Sequence, residues 1–190
     1  MGSNIWWGWG IFELSAELHR SLVALKVFSS EGSQLMKAIV KDLGEKCEVL
    51  ISSSVYKIAG ESENPRHIHE LRGFEAYDGL AAVLVVTSTE GPRELLSFLK
   101  EIEVKYRSEM LRRSASIKLL VFDDFTCMTP DLTLPHPELH VQPEALILAA
   151  EVWGEYVHPV LGQSLYSLTR RFNDKQWGRF QAQGKTLLDF

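Results

Sequence analysis

The hydrophobic pattern predicts an α+β sandwich whose strands and helices follow the order βαββαβ. Three observations carry that expectation. Two runs, Leu80 to Thr87 and Ser114 to Asp124, are almost continuously apolar and β-branched over strand length, as strands of a central sheet are. Two other stretches, 34–43 and 92–102, repeat their apolar residues at helical spacing. Turn signals, Ser29-Ser30-Glu31-Gly32-Ser33 and Gly91-Pro92, separate strand-like from helix-like segments.

Taken in order, Leu22 to Phe28 reads as the first strand, and the serines after it offer helix N-caps. Leu35, Met36, Ile39, Val40 and Leu43 then share one helix face, with Gly44 as the stop. Cys47 to Ile58 reads as one long strand with Val49, Ile51, Val55 and Ile58 as its apolar contributors. The polar stretch 59–78 is a loop of a length that is usually functional or mobile. Leu80 to Thr87 follows as a strand, and Leu95, Phe98, Leu99 and Ile102 form the second helix face behind Pro92. Glu103 to Arg113 reads as a charged loop leading into the strand 114–124.

That order is the split βαβ, ferredoxin-like arrangement. Beyond it come the Pro- and His-containing segment 133–139, a short helix from Pro143 to Trp153, the stretch 157–162, and a helix around Leu165 to Phe172. The expected organisation is a Trp-rich extension over 1–20, a domain over 21–170 and a tail over 171–190. No internal repeat is visible.

Composition narrows the function classes. The chain has 190 residues, enough for one domain with a proper core, and is 45% hydrophobic and 24% charged with a net charge of −5. That mildly acidic balance gives no footprint for nucleic acid or an anionic membrane. No apolar run has the length of a bilayer span, and the aromatic start lacks the cationic flank of a signal peptide, so a cytoplasmic location is expected. The two cysteines, Cys47 and Cys127, lack metal-ligand spacing and read as free thiols. Trp6, Trp7 and Trp9, separated by glycines, suit packing back onto the domain or, as the natural partner surface, self-association or binding to another protein.

Within the strand 114–124, alternation places Ser116, Lys118, Leu120 and Phe122 on one face and Ile117, Leu119 and Val121 on the other. Lys118 is the oddity. A lysine in such a run must snorkel to the strand end or sit in a polar cleft, because an unpaired buried ammonium is costly. Asp123 and Asp124 read as a strand-terminating cap. His67 and His69 would face one side of an extended loop, but two ligands are too few for a metal site. Glu75 and Asp78, beside Tyr77, read as loop solvation.

The order of elements, with Leu134-Pro135-His136-Pro137 after the fourth strand and His158-Pro159 near the domain end, resembles hydroxymethyldihydropterin pyrophosphokinase (HPPK) over about residues 22–170. Further local likenesses are Ser53-Ser54-Val55-Tyr56-Lys57, Ala81-Ala82-Val83, Leu119-Leu120-Val121-Phe122 and the spacing from Pro135 to Ala150-Glu151-Val152. The resemblance implies an HPPK-type fold and descent from an enzyme that transfers pyrophosphate from ATP to a pterin alcohol. In that family an Asp-x-Asp pair on the fourth strand holds two Mg²⁺ ions, since hard divalent cations need oxygen ligands. The matching positions here are Ser116 and Lys118, a weak neutral ligand and a cation.

Other positions depart from the family in the same sense. Leu80, beside Gly79, stands where the family has a pterin-binding asparagine, and an apolar residue there leaves the pterin edge unpaired. Gln142 and Glu144 stand where it has an arginine and a stacking phenylalanine, and the first turn reads Val27-Phe28-Ser29-Ser30 in place of Gly-Ser-Asn. Arg112 and Arg113 lie near one phosphate-binding arginine, and His136 is retained.

The expected function is therefore that of an inactive HPPK relative, a pseudoenzyme retained as a binding or interaction module, with no cofactor. The alternative is an active, ATP- and Mg²⁺-dependent pyrophosphokinase acting on 6-hydroxymethyl-7,8-dihydropterin with a remodelled site. On the first reading, Lys118 with Arg113 and Lys26 forms a cationic cleft for a phosphate-bearing ligand, with Lys118 standing in electrostatically for the missing metal.

Overall fold

The computed structural model describes residues 17–58, 79–107, 115–172 and 177–189. Trp6, Trp7 and Trp9, His67 and His69, Glu75, Tyr77 and Asp78, and Arg112 and Arg113 lie outside the described residues.

The first strand, β1 (His19–Phe28), starts earlier than its apolar run because its end is braced from across the sheet. Asp123 accepts the Arg20 backbone N–H and meets His19 Nδ1, each at 2.7 Å. Helix α1 (Gly32–Leu43) follows, its buried face supplied by Met36, Ile39, Val40 and Leu43. A Cβ on Gly32, at the helix start, would come 3.0 Å from Leu80 Cδ1, a contact that the Leu80 side chain would have to give way to.

The expected single strand 47–58 is two strands, β2 (Glu48–Ser52) and β3 (Val55–Ile58). Both pair antiparallel with β4 (Gly79–Ser88). Ser53 bridges the break by local hydrogen bonding, a habit of serine that competes with regular ladders. Its hydroxyl accepts the Val83 N–H at 2.9 Å and donates to the Ser54 carbonyl, while its own N–H reaches Val83 O at 2.8 Å.

Helix α2 (Pro92–Lys105) continues past the expected loop boundary at Glu103. Glu103 has a structural partner that a loop reading does not supply. Its Oε2 accepts the Ile117 N–H of β5 (Ala115–Phe122) at 3.1 Å, satisfying a donor on the sheet's outer edge.

The main path of the sheet runs β3, β4, β1, β5, with β4 and β1 central and neighbours antiparallel. This is the ferredoxin-like order expected from sequence. The register between β1 and β5 slips between Leu22, opposite Val121, and Val23, opposite Leu119. Leu120 is thus the extra residue of a bulge, which resets the alternation. Phe122 consequently joins Ala115, Ile117 and Leu119 in the core under α1 and α2, and does not share the face of Ser116, Lys118 and Leu120 as simple alternation predicts.

After β5 come a small hairpin of β6 (Cys127–Met128) and β7 (Thr133–Leu134), then α3 (Glu138–Val141) and α4 (Pro143–Trp153). A second hairpin, β8 (Val157–His158) with β9 (Gln163–Ser164), leads into α5 (Leu165–Thr169) and a 3₁₀ turn over Arg170–Phe172. These helices cover the other sheet face, where Leu22, Ala24, Ala81, Val83, Val85 and Leu120 pack against Leu139, Leu146, Ala149, Leu165 and Leu168. The sheet is thus sandwiched between helices on both faces.

The C-terminal extension is woven into this frame. Its strand β10 (Arg179–Ala182) pairs with β3 at the sheet edge, and Trp177 and Phe180 flank Tyr56 at 4.6 and 5.9 Å between ring centres. A final 3₁₀ turn, Gly184–Leu187, puts Leu187 into the core and brings the Gly184 backbone hard against β2. A Cβ on Gly184 would stand 2.1 Å from Ser52 O, so only glycine fits. Cys47 and Cys127 are free thiols. Among the described residues, no helix is long and apolar enough to cross a membrane.

Candidate functional site

Three polar side chains share the sheet face turned toward α3 and α4. Lys26 of β1 lies opposite Ser116 of β5, and Lys118 lies one step along, opposite Ala24. Lys26 is the more deeply placed, its side chain only 6% exposed. An ammonium in that position requires a charged partner, because burial without one costs far more than a fold can absorb.

The helices deliver that partner. Glu144, in the first turn of α4 directly behind Pro143, accepts from Lys26 Nζ at 2.9 Å and is itself 13% exposed. A carboxylate in that turn is also favoured by the positive end of the helix dipole.

Lys118 is paired as well, to Glu138 at the start of α3. Two bonds from His136 set that geometry. Its backbone N–H donates to Leu120 O at 2.8 Å, which docks the Pro-His-Pro segment on the edge of β5. Its ring Nδ1 accepts the Glu138 N–H at 3.2 Å, which aims the next turn at Lys118. The Leu134–Pro135 peptide bond in this segment is cis.

The electrostatics follow from the pairing. Burial alone would push the Glu138 carboxyl up, but the Lys118 hydrogen bond and charge, with Lys26 and His136 behind them, hold it below the usual carboxylate value. Burial lowers the His136 imidazole, only partly opposed by Glu138, and Lys118 adds to the lowering. The ring is therefore a neutral acceptor near pH 7, consistent with the bond that it receives. Two cations on the sheet face two carboxylates on the helices, and the formal charges of the four side chains cancel.

The sequence-predicted residues are thus partly brought together. Lys26, Ser116, Lys118, His136 and Glu144 gather where the sheet meets α3 and α4. Leu80 is not among them. It lies on the opposite sheet face, in the core beneath α1 and against Gly32. Gln142 links α3 to α4, its N–H bonded to Glu138 O and its carbonyl to the Leu146 N–H. Of the expected cationic cleft, Arg113 lies outside the described residues, and Lys26 and Lys118 each have a carboxylate partner.

Sequence reasoning missed Glu138. The signal was its place directly after Pro135-His136-Pro137, but nothing local says that α3 begins across from Lys118. Asp123 ends β5 as expected, with a left-handed φ of 41° that lets it hold both His19 and Arg20. Its carbonyl accepts the hydroxyl of Tyr156, whose pKa is pushed up to about 12 by burial and by Asp124 and Asp123.

The donor set does not suit Mg²⁺. The strand positions offer a hydroxyl and an ammonium, and both nearby carboxylates are held by lysines. Among the described residues, no group of three or more His, Cys, Asp or Glu side chains could hold a metal ion.

No protein-family model and no curated protein matches the chain. Solved structures do. The chain superposes on a triple mutant of Plasmodium falciparum HPPK-DHPS with SDX-DHP at a TM-score of 0.65 and 14% identity, covering 84% of this chain and 45% of that one. The fold is HPPK-like. Wild-type HPPK-DHPS from the same organism gives 0.62 at 16% identity over 82% of this chain and 45% of that one. An HPPK-DHPS in complex with substrates gives 0.62 at 14% identity over 81% and 43%. The chain spans less than half the length of these HPPK-DHPS chains, and at such identities the likeness is one of fold.

Proposed function

We propose that this chain is a catalytically inactive relative of HPPK, acting in the cytoplasm as a binding or interaction module. One observation carries the reading. The sheet face where the resemblance places the metal-binding carboxylates instead holds Lys26 and Lys118, each matched to a glutamate from the covering helices. Pyrophosphoryl transfer needs strong neutralisation of the triphosphate by metal ions or free cations. Here Glu138 and Glu144 stand against an incoming phosphate, and the lysines would have to leave them to meet it. The site is better suited to holding α3 and α4 onto the sheet than to binding a nucleotide, and it requires no cofactor.

Titration calorimetry of the full chain with a non-hydrolysable ATP analogue, with and without Mg²⁺, and then with hydroxymethylpterin, tests this. The expected result is no heat of binding for either. Metal-dependent nucleotide binding, followed by AMP release when ATP and the pterin are supplied together, would establish the pyrophosphokinase alternative.

A further inference from the structure

A second pair of buried polar side chains lies away from this site. His158, at the end of β8, is 2% exposed. Its ring Nδ1 accepts two backbone N–H groups, from Val160 and Leu161, each at 3.3 Å. Its carbonyl shares the Leu161 N–H at 3.1 Å and accepts that of Gly162 at 2.8 Å. One residue thus holds the whole turn between β8 and β9, and Gly162, with φ of 63°, completes the reversal.

An imidazole whose Nδ1 accepts must carry its proton on Nε2. That Nε2 is buried without a hydrogen-bond partner among the described residues, and so is Nδ1 of His140 in α3. The two rings meet edge to face, 5.5 Å between centres. The groups whose charge acts on His158 are His140 and Arg171, from the 3₁₀ turn after α5, and both oppose a positive ring. Opposite His158 in the hairpin, β9 places the uncharged Gln163.

We propose that His158 is an acid-sensitive latch, its protonation releasing the turn between β8 and β9. The added proton must go onto Nδ1, the nitrogen already facing two N–H donors. Three donors cannot share that space, so the two ring-to-backbone bonds break, the Val160 N–H loses its ring acceptor and the Leu161 N–H is left to the His158 carbonyl. Burial, reinforced by His140 and Arg171, lowers the ring pKa, with only the residue's own backbone hydrogen bond working the other way. The sign follows by linkage. A histidine depressed in the closed hairpin binds protons more readily when released, so closure is complete above the unfolded value of about 6.5 and is lost as pH falls below it.

Backbone amide exchange in the full chain, corrected for intrinsic chemistry, reads the latch directly. Protection of Val160 and Leu161 is expected to fall severalfold, up to a limit of about tenfold set by the unfolded value of about 6.5, between about pH 7.5 and about pH 5.5. In His158→Asn the side-chain oxygen can take the place of Nδ1 as acceptor but does not titrate, and the same two amides should stay within about twofold. Unchanged protection in the wild type, or an equal fall in the variant, overturns the proposal. Should the variant fail to fold, the wild-type ring titration decides. A midpoint coinciding with the loss of protection supports the latch, and separate midpoints overturn it.

Discussion

The two faces of the central sheet solve the same packing problem with different chemistry. Toward α1 and α2, the sheet contributes Val23, Leu25, Val27, Leu84, Val86, Ile117 and Leu119, all buried in one continuous apolar core. Toward α3 and α4 the apolar cluster is interrupted by two lysines held to glutamates. Apolar burial is non-directional and forgives small shifts, whereas an ion pair fixes one atom against another. The first face supplies stability, and the second supplies register between the sheet and its covering helices.

The comparison breaks most visibly on the apolar side. Leu99→Ala removes a fully buried side chain between α2 and the sheet and should cost about 2–5 kcal/mol, read as a lower urea midpoint with an unchanged slope. A loss below about 1 kcal/mol would mean that the site collapses without a cavity.

On the charged side, Glu144→Ala takes away the carboxylate facing a Lys26 side chain that is 6% exposed, and should cost about 3 kcal/mol. Replacing the pair together, Lys26→Met with Glu144→Leu, should restore wild-type stability or exceed it by about 1 kcal/mol. A double variant as unstable as the single one would show that the pair contributes more than its own neutralisation.

The outer pair is more exposed, and its effect is smaller. Glu138→Gln should lower stability by about 1 kcal/mol near neutral pH. Because the Glu138 carboxyl is held below its ordinary value of 4.5, that contribution is complete above the unfolded pKa and disappears as pH falls through the folded one. Urea midpoints of wild type and variant should therefore differ near pH 7 and converge in acid. A gap that persists in acid would assign the loss to packing. The smallest effect is expected at the brace between strand ends. Asp123→Asn keeps a side-chain oxygen for the Arg20 N–H and, at an exposed site, should shift stability by less than about 1 kcal/mol in the same assay.

Much of the apolar face was legible in the sequence, because periodicity reports burial directly. Pro143 and Trp153 bound α4 as expected, since proline suits the first helical position and Gly154 follows the last. What periodicity does not encode is interruption. Ser53 breaks a strand that reads as continuous because its hydroxyl replaces a rung, and the bulge at Leu120 turns Phe122 over with no unusual residue to announce it.

The candidate site was legible by half. Lys118 stands out in an apolar strand and so demands a partner, but its partner is 20 residues away, and that of Lys26 is 118 away. Only the docking of α3 and α4 brings them together. His158 gave still less sign, because its role depends on a buried ring nitrogen and not on any pattern.

The pairing of β10 with β3 has a consequence for synthesis. Residues 55–58 leave the ribosome long before residues 179–182, so every nascent chain passes through a stage in which β3 shows an unsatisfied outer edge. Such an edge is a template for another strand. Until translation delivers Arg179 to Ala182, that edge stays open to pairing with a neighbour.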